Sequence, residues 1–125
     1  LVCNRVYSAT PALLHVQMDL NGNSTCADID PRENIHYELT GPTATCAGPY
    51  IIRRNGDCLV ANVVPERPGK LFTYYDAQGH DLGPVPMAEM IKRVRIAFAV
   101  EVKNPNVKVG GNLSSALSSS VELRN

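Results

Sequence analysis

Charge of one sign is what this sequence most lacks: 12 Lys and Arg residues offset 12 Asp and Glu residues. A chain with no net charge has no long-range field to concentrate nucleic acid or an anionic membrane surface, so both classes of partner are disfavoured. No apolar run approaches the ~20 residues of a membrane-crossing helix, and no signal peptide opens the chain. It starts at Leu1 with no initiator Met; if the protein is secreted, an upstream segment is expected to have been removed by processing or truncation. The cysteines form no C-x-x-C pair and no C-x-x-C-H signature, which leaves redox, haem and zinc-ribbon roles unsupported. There is also no H-x-x-x-H pair, no G-x-S-x-G elbow, and no phosphate-loop pattern after Gly110-Gly111. An enzyme is the least supported class.

What the chain does have is an ordinary globular balance, 44% apolar and 19% charged over 125 residues. That is enough to bury one core, so residues 1–125 read as one domain. Four cysteines, Cys3, Cys26, Cys46 and Cys58, in a small strand-rich chain point to disulfides and an oxidising compartment. Three pairings exist. Cys46–Cys58 is preferred because it brackets one hairpin-sized segment, with Cys3–Cys26 securing the N-terminal end. Closing a loop from 46 to 58 is worth roughly 3 kcal/mol in the chain-entropy model.

The hydrophobic period is that of strands. In 13–19, Leu14, Val16 and Met18 alternate with His15, Gln17 and Asp19. In 34–40, Ile35, Tyr37 and Leu39 alternate with Asn34, His36 and Glu38. The longest alternation, 92–103, sets Val94, Ile96, Phe98, Val100 and Val102 against Arg93, Arg95, Ala97, Ala99, Glu101 and Lys103. Strict alternation of this length predicts a half-buried antiparallel strand, with the first set in the core. Shorter strands are predicted over 49–54, 58–64, 70–76 and 117–124. Asn55-Gly56 supplies the positive φ angles of a tight hairpin turn, and Pro65 with Pro68-Gly69 breaks the chain before the next strand. Gln78-Gly79 and Asn104-Pro105-Asn106 are further turns. One helical turn is expected near 86–91. Seven short strands make a mainly β, antiparallel meander or small sandwich, disulfide-stapled and almost without helix.

One segment has metal-ligand character. In 19–30, DLNGNSTCADID, the side chains of Asp19, Asn21 and Asn23 fall at alternate positions and Asp30 at the twelfth, as oxygen ligands do in a calcium loop. The sixth position is Ser24 where such a loop has Gly, and the same residues also make an ordinary polar turn. Both readings stay open. His15 and His36 lie on the predicted polar strand faces and read as solvated, with His80 apart from both. The Ser-rich stretch 114–120 reads as a loop entering the last strand. Asn23-Ser24-Thr25 and Asn112-Leu113-Ser114 match the glycosylation sequon, which matters only in a eukaryotic secretory setting. Tyr74 and Tyr75 fall on opposite faces, so one should be exposed, and Asp76 and Asp81 flank a turn.

From residue 33 onward the order of features resembles the type IV pilin and type II secretion pseudopilin superfamily, most nearly its PilW-like or GspJ-like minor subunits. The residues concerned are Glu33-Asn34-Ile35-His36-Tyr37-Glu38-Leu39, Ile52-Arg53-Arg54 and Phe72-Thr73-Tyr74-Tyr75-Asp76-Ala77-Gln78-Gly79. Ile91-Lys92-Arg93-Val94-Arg95-Ile96 and Ser120-Val121-Glu122-Leu123-Arg124-Asn125 complete the series. The resemblance implies a β-rich head in a bacterial surface filament or secretion pseudopilus, with no catalysis. It implies other pilin or pseudopilin subunits as partners, in the periplasm or at the cell surface. The family's N-terminal hydrophobic helix, its cleavage site and its early glutamate are missing from this sequence. A trimmed head, or a head that docks on a separate helix-bearing chain, is therefore expected. The competing expectation is a stand-alone secreted β-sandwich module that binds a glycan or protein, with or without calcium at 19–30.

Overall fold

A computed structural model describes residues 5–17, 34–103 and 112–123. Its strands are β1 (Arg5–Ala9), β2 (Leu13–Gln17), β3 (Asn34–Thr40), β4 (Tyr50–Arg54), β5 (Asp57–Pro65), β6 (Phe72–Tyr75), β7 (Arg93–Lys103) and β8 (Asn112–Glu122). One 3-10 turn, Ala88–Met90, stands where the helical turn was expected. All eight strands belong to one antiparallel sheet, so the mainly β, meander-like class is correct. The additional strand is β1, too short to show a period by itself.

The path of the sheet runs β1-β2-β3-β4-β5-β7-β6, with β8 attached to β7 off that path. β8 pairs with β7 along all eleven residues, so it fills one edge of β7. β5 and β6 must therefore share the other edge, end to end. Pro65 lies opposite Phe98 and Phe72 opposite Ile96. Between them the Ala97 N–H donates to the Leu71 carbonyl at 3.2 Å. Residues 66–70 are thus an excursion from what is nearly one continuous strand. The excursion turns at Arg67-Pro68-Gly69-Lys70, where Lys70 N–H donates to the Arg67 carbonyl at 3.0 Å and Gly69 has φ +70°. Proline followed by a positive-φ glycine is the chemistry of a type II turn.

The sheet curls until its two ends meet. The Pro11 carbonyl, in the β1–β2 turn, accepts from the N–H groups of both Leu71 and Phe72, at 2.8 and 2.9 Å. Tyr74 reaches across the same junction: its hydroxyl donates to the Thr10 carbonyl at 2.7 Å, with the Leu13 carbonyl at 3.1 Å. Closing the path in this way covers strand edges that would otherwise be unpaired. It also encloses the core, Val6, Leu14, Leu39, Ile52, Val63, Leu71, Phe72, Tyr74, Ile91 and Val94, drawn from both ends of the sheet.

The β4–β5 hairpin turns at Asn55 and Gly56, with φ of 50° and 85°, the two positive angles of a type I′ turn. The Asn55 side chain then accepts from the His36 N–H at 2.8 Å, fastening the turn to β3. Further along, Tyr50 and Ile52 oppose Val63 and Val60, so two residues, Ala61 and Asn62, face the single Ile51. This is a β-bulge, with Asn62 in the left-handed region at φ 57°. The Cys46–Cys58 disulfide is present, as the spacing suggested, with Cα atoms 6.3 Å apart. Cys3 and Cys26 lie outside the described residues.

Two strands differ from what the sequence predicts. The Ser-rich stretch 114–120 is not a loop but the middle of β8; serine fits there because every described β8 residue from Leu113 to Glu122 is exposed to solvent. In β7, Val94 is buried and Ile96 and Phe98 pack against the core, yet Val102 is 42% exposed. Past Val100 the strand pairs, among the described residues, with β8 and not with β5, so the alternation outlasts the core it was expected to face.

Candidate functional site

The four oxygen-ligand candidates, Asp19, Asn21, Asn23 and Asp30, lie outside the described residues. Among the described residues no group of three or more His, Cys, Asp or Glu could hold a metal ion. No helix among them is long and apolar enough to cross a membrane.

The histidines divide differently from the sequence reading. His15 and His36 are directly opposite in the β2–β3 ladder. Their rings stack with centroids 3.7 Å apart and planes 24° apart. His15 Nε2 is hydrogen-bonded to Asn34 Oδ1, and its side chain is buried, not solvated. The reason is that both faces of β2 are covered: Leu14 on one side, His15 and Gln17 on the other. His80 is elsewhere, exposed on the turn after β6, beside the Asp76 carboxylate at 3.3 Å. Asp76 Oδ1 accepts from the N–H groups of His80 and Gln78 at 2.8 and 2.9 Å. The His80 N–H, more than the Gln78 N–H, holds the carboxyl below its ordinary value, against a smaller opposing effect of burial. This is a turn-stabilising role.

The two tyrosines do face opposite ways. Tyr74 is buried in the core, and burial pushes its phenol well above the ordinary tyrosine value. Tyr75 lies on the outer face with the Arg93 guanidinium 4.4 Å over its ring, a cation–π contact. Beside it Glu66, Arg67, Lys70, Thr73, Asp81 and Arg95 surround a shallow cleft of about 100 Å³. Arg95 reaches Glu66 at 3.3 Å there. This open cleft is smaller than the roughly 300–1,000 Å³ usual for small-molecule sites, whereas an adjoining groove of about 370 Å³, lined by Val64, Pro65, Glu66, Arg95, Phe98 and Leu117, falls in that range. Nothing among the described residues joins a nucleophile, a base and an orienting group.

The most distinctive surface is the β7–β8 ribbon. Leu113, Leu117 and Val121 recur at every fourth residue and so lie on one face of β8, 52%, 48% and 58% exposed. Across the ladder they oppose Val102, Phe98 and Val94. The buried end of β7 thus grades into an apolar stripe open to solvent, with Ser115 and Ser119 between its members. A second apolar group, Val85, Met87 and Met90, is exposed around the 3-10 turn. The stripe was missed in the sequence because serines outnumber its apolar members. The four-residue spacing of Leu113, Leu117 and Val121 was the signal that could have found it.

The fold and this surface define a disulfide-containing, mainly antiparallel β protein with an open apolar ribbon. No protein-family model, curated protein or solved structure matches the chain.

Proposed function

We propose that this chain is a non-catalytic assembly subunit: the globular head of a type IV pilin-like or pseudopilin protein, in a bacterial surface filament or secretion pseudopilus. The observation that carries the reading is the open stripe of Val102, Leu113, Leu117 and Val121. Exposed apolar side chains grouped on one face of a protein surface are a mark of protein–protein contact. Its partners in this reading are neighbouring subunits or a separate helix-bearing chain. The series of features from Glu33 to Asn125 adds the family. The Cys46–Cys58 disulfide fits an oxidising periplasmic or cell-surface location.

The test uses an antiserum to the domain on sheared surface filaments, periplasm and culture supernatant, in cells carrying the native gene or a Leu113→Lys/Val121→Lys version. The expected result is native protein in the filament or pseudopilus fraction. The double variant should be folded by circular dichroism and missing from that fraction. Protein found only as a free monomer in the supernatant would sink the reading and bring the secreted binding module forward. Assembly undisturbed by the double variant would remove the stripe from the argument.

A further inference from the structure

We infer that β8 is a self-pairing edge: two copies of this chain join through antiparallel β8–β8 contact about a two-fold axis at Leu117, making one continuous sheet. The inference is independent of the filament assignment, because it concerns the edge of the ribbon and a second copy of the same chain.

Leu123 N–H donates to the Lys92 carbonyl at 2.8 Å, one step beyond the Arg93–Glu122 pair that begins the ladder. In an antiparallel ladder hydrogen-bonded and non-hydrogen-bonded pairs alternate. Odd-numbered residues of β8 therefore turn their N–H and C=O groups toward β7. Ser114, Ala116, Ser118, Ser120 and Glu122 turn theirs outward, where no strand pairs with them among the described residues.

This edge also lacks the features that normally prevent pairing. Strand edges are blunted by brevity, bulges, proline or charge. β1 is five residues long and its register shifts between Val6 and Ser8. β6 is four residues long, and its ends are fastened to Pro11 and Leu82. β8 is eleven residues in unbroken register, with no proline and no charge before Glu122.

The sequence of the edge then selects the partner. Residues 113–121 read LSSALSSSV, which is close to palindromic about Leu117. Laid antiparallel on a second copy, Leu117 meets Leu117, Leu113 meets Val121, and Ser115 meets Ser119. On the opposite face Ser114 meets Ser120 and Ala116 meets Ser118. Glu122 falls opposite the uncharged Asn112, so no like charges oppose. A two-fold contact needs this self-complementarity, with residue i meeting j and j meeting i.

The register agrees with the ladder parity. The outward-turned even residues pair with one another, giving roughly ten main-chain hydrogen bonds. The three apolar pairs fall at non-hydrogen-bonded positions, where side chains approach most closely. Shifting the centre by one residue, to Ala116 or Ser118, sets leucine against serine. Shifting it by two, to Ser115 or Ser119, leaves one of the three apolar residues without an apolar partner. An edge of eleven residues at about 3.4 Å each, on a sheet about 10 Å thick, covers about 370 Å² per copy. That is below the roughly 800 Å² per partner of a stable complex, so the dimer is one that dissociates on dilution.

Sedimentation velocity on the purified chain, from low micromolar to millimolar concentration, is the test. A monomer–dimer equilibrium is expected, and Leu117→Lys, which sets two like charges across the axis, should shift it at least tenfold toward monomer. Leu117 is exposed, so that variant should keep the native circular dichroism spectrum. Independently, Leu117→Cys should form an intermolecular disulfide on mild oxidation, because cysteines at a paired position lie within bonding reach. Ser119→Cys alone should not, because its partner is Ser115. A monomer at every concentration, a dimer indifferent to Leu117→Lys, or equal cross-linking of the two cysteine variants would each overturn the inference.

Discussion

Replacing Tyr74 with Phe removes one oxygen and tests how the sheet is closed. The ring stays in the core, so little apolar burial is lost. What goes is the hydrogen bond to the Thr10 carbonyl, 64 residues away in sequence. A neutral hydrogen bond is worth about 1 kcal/mol net, and leaving a part-buried carbonyl unpaired adds to the loss. The expected destabilisation is about 1.5 kcal/mol, which moves a urea midpoint by roughly 1 M or less for a domain of this size. With no tryptophan in the chain, far-ultraviolet circular dichroism is the suitable probe. The pH dependence supplies a second readout. Burial raises the Tyr74 phenol above its ordinary value of 10.0, so the folded state favours the neutral form. That stabilisation is complete below pH 10 and is lost as pH rises from there toward the folded value, at about 1.4 kcal/mol per pH unit. Wild type should therefore lose stability faster than Tyr74→Phe in this alkaline range. A variant within about 0.3 kcal/mol of wild type at neutral pH, with the same alkaline slope, would refute the closure argument.

Converting both Cys46 and Cys58 to Ala opens a loop with a sequence separation of 12 and should cost about 3 kcal/mol in urea unfolding. A cost under about 1 kcal/mol would mean the unfolded chain is already constrained there. Asn62→Val, which puts a β-branched side chain in the left-handed region, should cost about 1–2 kcal/mol more than Asn62→Gly; equal thermal stabilities would contradict the bulge. Melting in chelator against millimolar calcium decides between the two readings of 19–30: a raised melting temperature assigns calcium, and an unchanged one assigns a plain turn.

The strands that sequence identified best are those whose two faces differ. Asn34–Thr40 is a strand at its predicted bounds, because Ile35 and Leu39 are buried while Glu38 is exposed. Asn55-Gly56 made the β4–β5 turn legible, since few other pairs accept two positive φ angles, and the turn in turn made Cys46–Cys58 the preferred pairing. Where both faces of a strand share one environment, alternation does not tell which side chains are buried. β2 is covered on both sides, and so His15 was read as solvated. β8 is exposed on both sides, and so its sequence predicts a strand only over 117–124, with a loop where its Ser-rich first half stands.

The amino-acid sequence by itself determined the local conformations: alternation, turn chemistry and the reach of one disulfide are settled within a dozen residues. The tertiary structure alone decided that β5 and β6 share an edge of β7, that Tyr74 closes the sheet on Thr10, and that the apolar alternation of β7 extends past the core. These depend on which distant segments meet. That outcome is fixed by the sum of burial and main-chain pairing over the whole sheet, and no window of sequence contains it.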